Sequence, residues 1–232
     1  MCETCEPALD SSLMRGDGGF GRFIHLDDLE DAGYGDYRIL FTSDTDGPDR
    51  GEPMPETIST PVEIVALLVS PAHAFEGRPT DGPRPDPVPV EHDEVTVRAG
   101  LGLVGDRYFN RPAHRQAAVT LFAADSLDVL ARDLGLDAVP DPHLPRRNIV
   151  VRGFPVDELA APRGGTGAVF GLDSGAGEVR FQAYRPAHPC AWMDVVLAPG
   201  AFRALRGRGG VRCTPLDDGI LRVGPATLTV MR

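Results

Sequence analysis

Apolar and polar positions alternate in short runs along most of the chain, the pattern of strands buried on one face. Residues 62–69 open it as a buried strand rich in β-branched side chains. Further strands are expected at 94–98, 118–122, 148–152, 178–184, 194–197, 220–223 and 227–231, with turn-forming residues between them. That rhythm predicts a mainly β fold with few helices, a barrel or sandwich and not a doubly wound sheet. One stretch has helical spacing: Leu127, Leu130, Ala131 and Leu134 form an apolar stripe, with Asp125 placed to cap its start and Gly135 to end it. A shorter helix is expected after Pro199, burying Phe202 and Leu205.

Two proline-rich segments interrupt the pattern. Residues 42–61 carry Pro48, Pro53, Pro55 and Pro61 and read as a linker. Residues 79–89 hold five prolines in eleven positions, which excludes helix or central strand and marks a long surface loop. The linker divides the chain into an N-terminal extension over 1–60, with weaker strand signals at 21–26 and 37–42, and a main domain over 61–232. Charge divides it in the same place: 14 Asp/Glu against 4 Arg in 1–60, and 20 against 19 in the remainder. Neither part has the basic footprint of a nucleic-acid binder. The longest aliphatic run, Ile64 to Val69, falls far short of the roughly 20 residues that cross a bilayer. The N-terminus lacks the features of a secretory signal, so no membrane partner and a cytoplasmic location are expected.

All 23 basic residues are Arg. Without Lys the chain cannot form a lysine-bound pyridoxal phosphate, whereas Arg forks suit phosphate, carboxylate or sulfate. The four cysteines, at 2, 5, 190 and 213, read as thiols or metal ligands before disulfides. Cys2-Glu-Thr-Cys5 is a lone pair with no second pair to complete a zinc site; a frayed terminus, a metal site assisted by His25, or an inducible disulfide remain open. Gly100-Leu-Gly-Leu-Val-Gly105 matches a dinucleotide fingerprint, but no amphipathic helix opens at Gly105, so a structural turn is expected, with Asp106 and Arg107 near any ligand.

Arg146, Arg147 and Asn148 stand directly before an apolar strand, where they would either point into a barrel's mouth and fork an anion or form a solvated turn. Cys190 lies in a stiff loop, His188-Pro-Cys-Ala-Trp192, with Arg185 nearby; it is a reactive thiol in an electropositive setting or a buried structural cysteine. Arg206-Gly-Arg-Gly-Gly-Val-Arg212, with Arg208 at its centre, is a cationic turn able to share an anion or simply a surface loop. His73, His92, His114 and His143 are scattered and lack paired-ligand spacing.

Taken in order, Gly-Leu-Val-Gly-Asp-Arg-Tyr, Val-Thr-Leu-Phe, Arg-Arg-Asn-Ile-Val-Val-Arg-Gly, His-Pro-Cys-Ala-Trp-Met, Arg-Gly-Gly-Val-Arg and Asp-Gly-Ile-Leu-Arg-Val-Gly resemble the landmarks of a MOSC domain over residues 61–232. The resemblance implies a MOSC, pyruvate-kinase-like β-barrel with a pocket around one cysteine. It implies Cys190 as catalytic residue, carrying sulfur as a persulfide or ligating molybdenum, with Arg146 and Asn148 helping to hold a molybdopterin cofactor. Arg147, Arg185, His188, Arg208, Asp106 and Arg107 complete the candidate site. Sulfur transfer or molybdenum-dependent catalysis is the expected activity, on a small-molecule substrate or pterin, with a sulfur-donor or acceptor protein as partner. A carbon–sulfur bond-cleaving or sulfur-transferring enzyme independent of molybdenum and a non-enzymatic cofactor-delivery module are the alternatives. The family's usual Gly-Asp after its last glycine-rich strand is replaced here by Gly224-Pro225, where only a surface turn is expected to change.

Overall fold

The computed structural model describes residues 57–163 and 165–231. The N-terminal readings, including Cys2, Cys5 and the strands at 21–26 and 37–42, lie outside the described residues. In chain order the elements are β1 (Thr57–Leu67), β2 (Glu94–Arg98), β3 (Gly102–Leu103), β4 (Val119–Ala123), α1 (Asp125–Leu134), β5 (Ile149–Arg152), β6 (Val169–Asp173), β7 (Glu178–Pro186), α2 (Trp192–Val196), α3 (Ala201–Ala204), β8 (Val211–Pro215), β9 (Gly219–Arg222) and β10 (Gly224–Met231). Seven strands close into a barrel in the spatial order β1-β10-β6-β7-β8-β4-β5, and β3-β2-β9 form a separate small sheet. Among the described strands only β4 and β5 pair in parallel, and α1 lies in the crossover between them.

Ile64, Leu67, Leu121, Ile149, Val151, Phe170, Phe181 and Leu228 fill the barrel's interior, where Phe170 and Phe181 stack with centroids 5.3 Å apart. The opposite faces of β4 and β5 carry Phe122 and Val150. These pack outward against Leu127 and Leu130 of α1, Trp192 and Met193 of α2, and Leu205 just after α3. The barrel therefore has a dry core and a second apolar layer on its outer wall.

Several expectations are corrected. Residues 194–197 are not a strand: α2 ends at Val196, because Trp192, Met193 and Val196 share one helical face toward Phe122. Asp125 is the first residue of α1 and makes no cap; its carboxylate accepts the Gly153 N–H at 3.0 Å instead. Gly135 does end the helix in the left-handed conformation, at φ 64°. Strands β6 and β8 escaped the pattern, one interrupted by Gly171 and the other hidden in the glycine-rich cationic run. Residues 57–61 are not linker but the start of β1, with Pro61 opposite Thr227. Pro225 lies exposed within β10, opposite Glu63, and not in a turn.

Candidate functional site

Neither Arg146 nor Asn148 points into the barrel. Ile149 and Val151 take the inward positions, so Asn148 falls on the outer wall with Val150. There its amide is fully used. Oδ1 accepts from the backbone N–H and the hydroxyl of Thr120, both at 3.0 Å. Nδ2 donates to the Leu68 carbonyl and to Asp106 Oδ2, both at 3.1 Å. With two donors and two acceptor sites taken, Asn148 acts on the site through Asp106. Asp106, itself buried, also accepts from the N–H groups of Ser70 at 3.3 Å and Tyr108 at 3.0 Å. The glycine turn before it is structural, since Gly100, Gly102 and Gly105 all have positive φ. Its product is the placement of Arg107.

Arg146 and Arg147 are neighbours with opposite fates. Arg146 has φ 56°, which swings its side chain away from that of Arg147. Its guanidinium makes two 2.7 Å hydrogen bonds to Asp86, a residue of the proline-rich loop. Ser70 Oγ donates to the same carboxylate at 3.0 Å. The Arg146 hydrogen bonds, helped by Ser70 and the charge of Arg107, hold the Asp86 carboxyl below the usual range. Arg146 also lies 5.9 Å from the centroid of Phe75, which stacks on Trp192.

Among the described residues no carboxylate comes within ion-pair distance of Arg147. One Nη donates weakly to the carbonyls of Ala187 at 3.3 Å and His188 at 3.5 Å, and Nε is buried without a partner. Burial pushes its guanidinium down to about 10. The charges of Cys190 and Asp157 oppose that shift, and those of Arg212 and Arg107 add to it. Arg107 is in a similar state, with Nε and one Nη buried and unpartnered and its guanidinium 4.5 Å over the Tyr108 ring. Each such donor costs about 1–3 kcal/mol when nothing accepts from it. Arg107 and Arg147, whose charges act on each other, thus both keep buried N–H groups able to donate to an acceptor.

Cys190 is exposed in the loop before α2, close enough to Arg147 for their charges to act on each other. The loop is fixed by main-chain contacts: the Ala187 N–H donates to Gly210 O at 2.7 Å, and a Cβ at Gly209 would stand 2.1 Å from Ala187 O. The glycine-rich run thus serves a close approach of two backbones. His188 is exposed, and with Pro189, Phe202, Arg206 and Gly207 it lines a cavity of about 430 Å³ beside the loop. Cys213 is the opposite case, fully buried with its thiol against Val119 O at 3.5 Å; burial pushes that thiol far up.

The structure brings together Asp106, Arg107, Arg146, Arg147, Asn148 and Cys190. Arg208 turns toward α1 and pairs with Asp133 at 3.7 Å, with both side chains about half exposed. Arg185 stands on β7 beside Arg212, beyond Arg107. Sequence reasoning missed Ser70, Asp86 and Asp157 altogether. It also took His73 for an isolated residue, although Arg107 and Arg146 act on its ring; desolvation first, then those cations, hold it below its usual range. Among the described residues no group of His, Cys, Asp and Glu is arranged to hold a metal ion, and no helix is long and apolar enough to cross a membrane.

The barrel is similar to that of the YuaD protein of Bacillus subtilis, at 16% identity and a TM-score of 0.56, over 76% of this chain and 100% of that one. The YiiM proteins of Geobacillus stearothermophilus and Escherichia coli align at 16% and 17% identity with TM-scores of 0.47 and 0.46, over 74% of this chain in each case and 75% and 69% of theirs. No curated protein sequence matches the chain. The family model for the MOSC domain matches residues 102–226. That span runs from the turn that places Asp106 and Arg107, through Arg146–Asn148 and Cys190, to the last barrel strand, and it exceeds half of the sequence: the chain belongs to the MOSC domain family.

Proposed function

We propose that this protein binds an anionic cofactor of the molybdenum–pterin type on the barrel's outer wall, with Cys190 as metal ligand or persulfide carrier. One observation carries the reading: Arg147, buried with an unpartnered Nε–H, lies close enough to the exposed thiol of Cys190 for their charges to interact, and the similarly unpartnered Arg107 acts on Arg147 as well. The residues fit such a group. An exposed cysteine sulfur is a group that can bind a soft metal or carry sulfur. The spare N–H groups suit an anionic arm. Arg107 and Arg147 would hold that arm, and Cys190 would meet the metal. When bound, the cofactor supplies a redox-active metal; the chain supplies orientation, charge and a thiol. Arg146 is engaged by Asp86, so it contributes at this site only if that pair opens.

The test is elemental analysis of protein purified from its own host, joined to intact-mass measurement without reductant. Molybdenum near one equivalent, or one sulfur's mass added at Cys190, supports the reading, and Cys190→Ser should remove either signal without altering the fold. Limiting alkylation at neutral pH should label Cys190 and spare Cys213 until unfolding. A serine variant that retains the metal or the added sulfur refutes the assignment.

A further inference from the structure

Unpaired cations continue past Arg107 onto β7 and β8. Val211 and Cys213 point into the barrel, so Arg212 points out, half-buried. Across from it the register slips: Ala183 is opposite Cys213 and Pro186 opposite Val211, so Tyr184 and Arg185 together face Arg212. Strict alternation would send Arg185 inward after Ala183. The bulge turns it out to the side of Arg212, a re-aiming that bulges commonly perform. The 3-10 turn Pro112–Ala117 packs over both strands, tethered by a hydrogen bond from the Thr214 hydroxyl to the Arg115 carbonyl. Between that turn and Arg185 lies a cavity of about 290 Å³.

Arg115 and Arg185 line this cavity, and Arg212 stands behind it as the neighbour of Arg185 across the bulge; the charge there is uncompensated. Burial lowers the Arg212 guanidinium, the charge of Arg185 lowers it further, and only Tyr108 opposes them. Among the described residues no carboxylate comes within ion-pair distance of Arg115, Arg185 or Arg212, although eight other Arg or His side chains do have such partners. His114, its ring tilted 40° against Tyr108 with centroids 4.5 Å apart, adds another polar group to the rim. Arg185 and Arg212 lie close enough for like charge to act between them, with no acid to offset it. A tetrahedral dianion between them would accept from both forks at once and cancel the repulsion.

We propose that Arg185 and Arg212, beneath the turn Pro112–Ala117, form a second anion subsite that takes a phosphate group. It uses neither Cys190 nor the spare donors of Arg107 and Arg147, so it stands or falls apart from the cofactor reading. Its position on the same wall suits the charged end of a small organic substrate, held while another part of the molecule reaches toward Cys190.

Isothermal titration with inorganic phosphate, beside thermal melting, tests the subsite in the full chain. Wild type should melt higher as phosphate is added, because a ligand that binds only the folded state stabilises it. The Arg185→Gln/Arg212→Gln protein should weaken this binding by about tenfold or more, the loss of one charge-assisted hydrogen bond or better. It should also melt at or above the phosphate-free wild type, since a like-charge contact is gone. Arg147→Gln, which disables the other site, should leave this phosphate event in place. Arg185→Gln alone, on an exposed side chain, keeps the experiment decisive if substitution at Arg212 unfolds the protein. Phosphate binding that survives the Arg185→Gln and Arg212→Gln substitutions in an Arg147→Gln background, or that disappears with Arg147→Gln alone, overturns the proposal.

Discussion

Replacing Asp86 by Asn removes a charge from the proline-rich loop and leaves the Arg146 guanidinium without its counter-ion. The size of the effect follows from burial. The two side chains are 12% and 22% exposed, so the pair is mostly shielded from water. Exposed pairs contribute about 0–1 kcal/mol, whereas breaking a fully buried one costs about 3–5 kcal/mol. A pair shielded to this degree falls between those limits. A net destabilisation of about 2 kcal/mol is expected, or ~4–8 °C in melting temperature for a domain of this size. The pH dependence identifies the cause. Asp86 is held below its unfolded value, so its contribution is fully present above about pH 4 and disappears as pH falls through the lower folded value. Urea unfolding of wild type and Asp86→Asn at several pH values should therefore give two stabilities that differ at pH 7 and converge under acid. Ser70, Arg107 and Arg146 are the groups acting on this carboxylate, and neither arginine titrates in that window. A constant difference from pH 7 to pH 3, or none at pH 7, refutes the reasoning.

Asn148→Ala should cost about 2–4 kcal/mol in urea unfolding, because four hydrogen-bonding groups lose their partner. Asn148→Asp should cost more at neutral pH than under acid, since it sets a second carboxylate against Asp106. Removal of residues 1–55 should leave a cooperatively melting barrel, since β1 begins at Thr57 and every described strand follows it; insoluble protein would place part of the extension in the core.

What the sequence disclosed and what it concealed divide along physical lines. Strand β2 was legible to the residue, because Val95 and Val97 alternate with polar neighbours on a sheet with one dry face. The outward half of the barrel's packing was not, since Phe122 and Val150 look the same in sequence as their inward neighbours. Cys190 could be singled out from its prolines and cations. Asp86 could not, because its partner is 60 residues away and nothing in the proline-rich loop distinguishes it from its neighbours. The different roles of Arg146 and Arg147 depend on a single positive φ, and the role of Arg185 on a register slip between two strands. Both are facts of tertiary geometry that no local pattern encodes.

The loop that carries Cys190 is anchored almost wholly by main-chain atoms: Ala187 N–H on Gly210 O, and Arg147 on the carbonyls of Ala187 and His188. An anchor of this kind is indifferent to side-chain identity at the anchored positions and intolerant at the anchoring ones. A Cβ at Gly210 would stand 2.2 Å from Leu121 O at a φ of +89°, so this site admits glycine alone, whereas the exposed side chain of His188 can be exchanged without moving the thiol. The chemistry presented beside Cys190 can therefore drift, or be redesigned, at positions that bear none of the fold's stability, while the frame that aims the sulfur stays fixed.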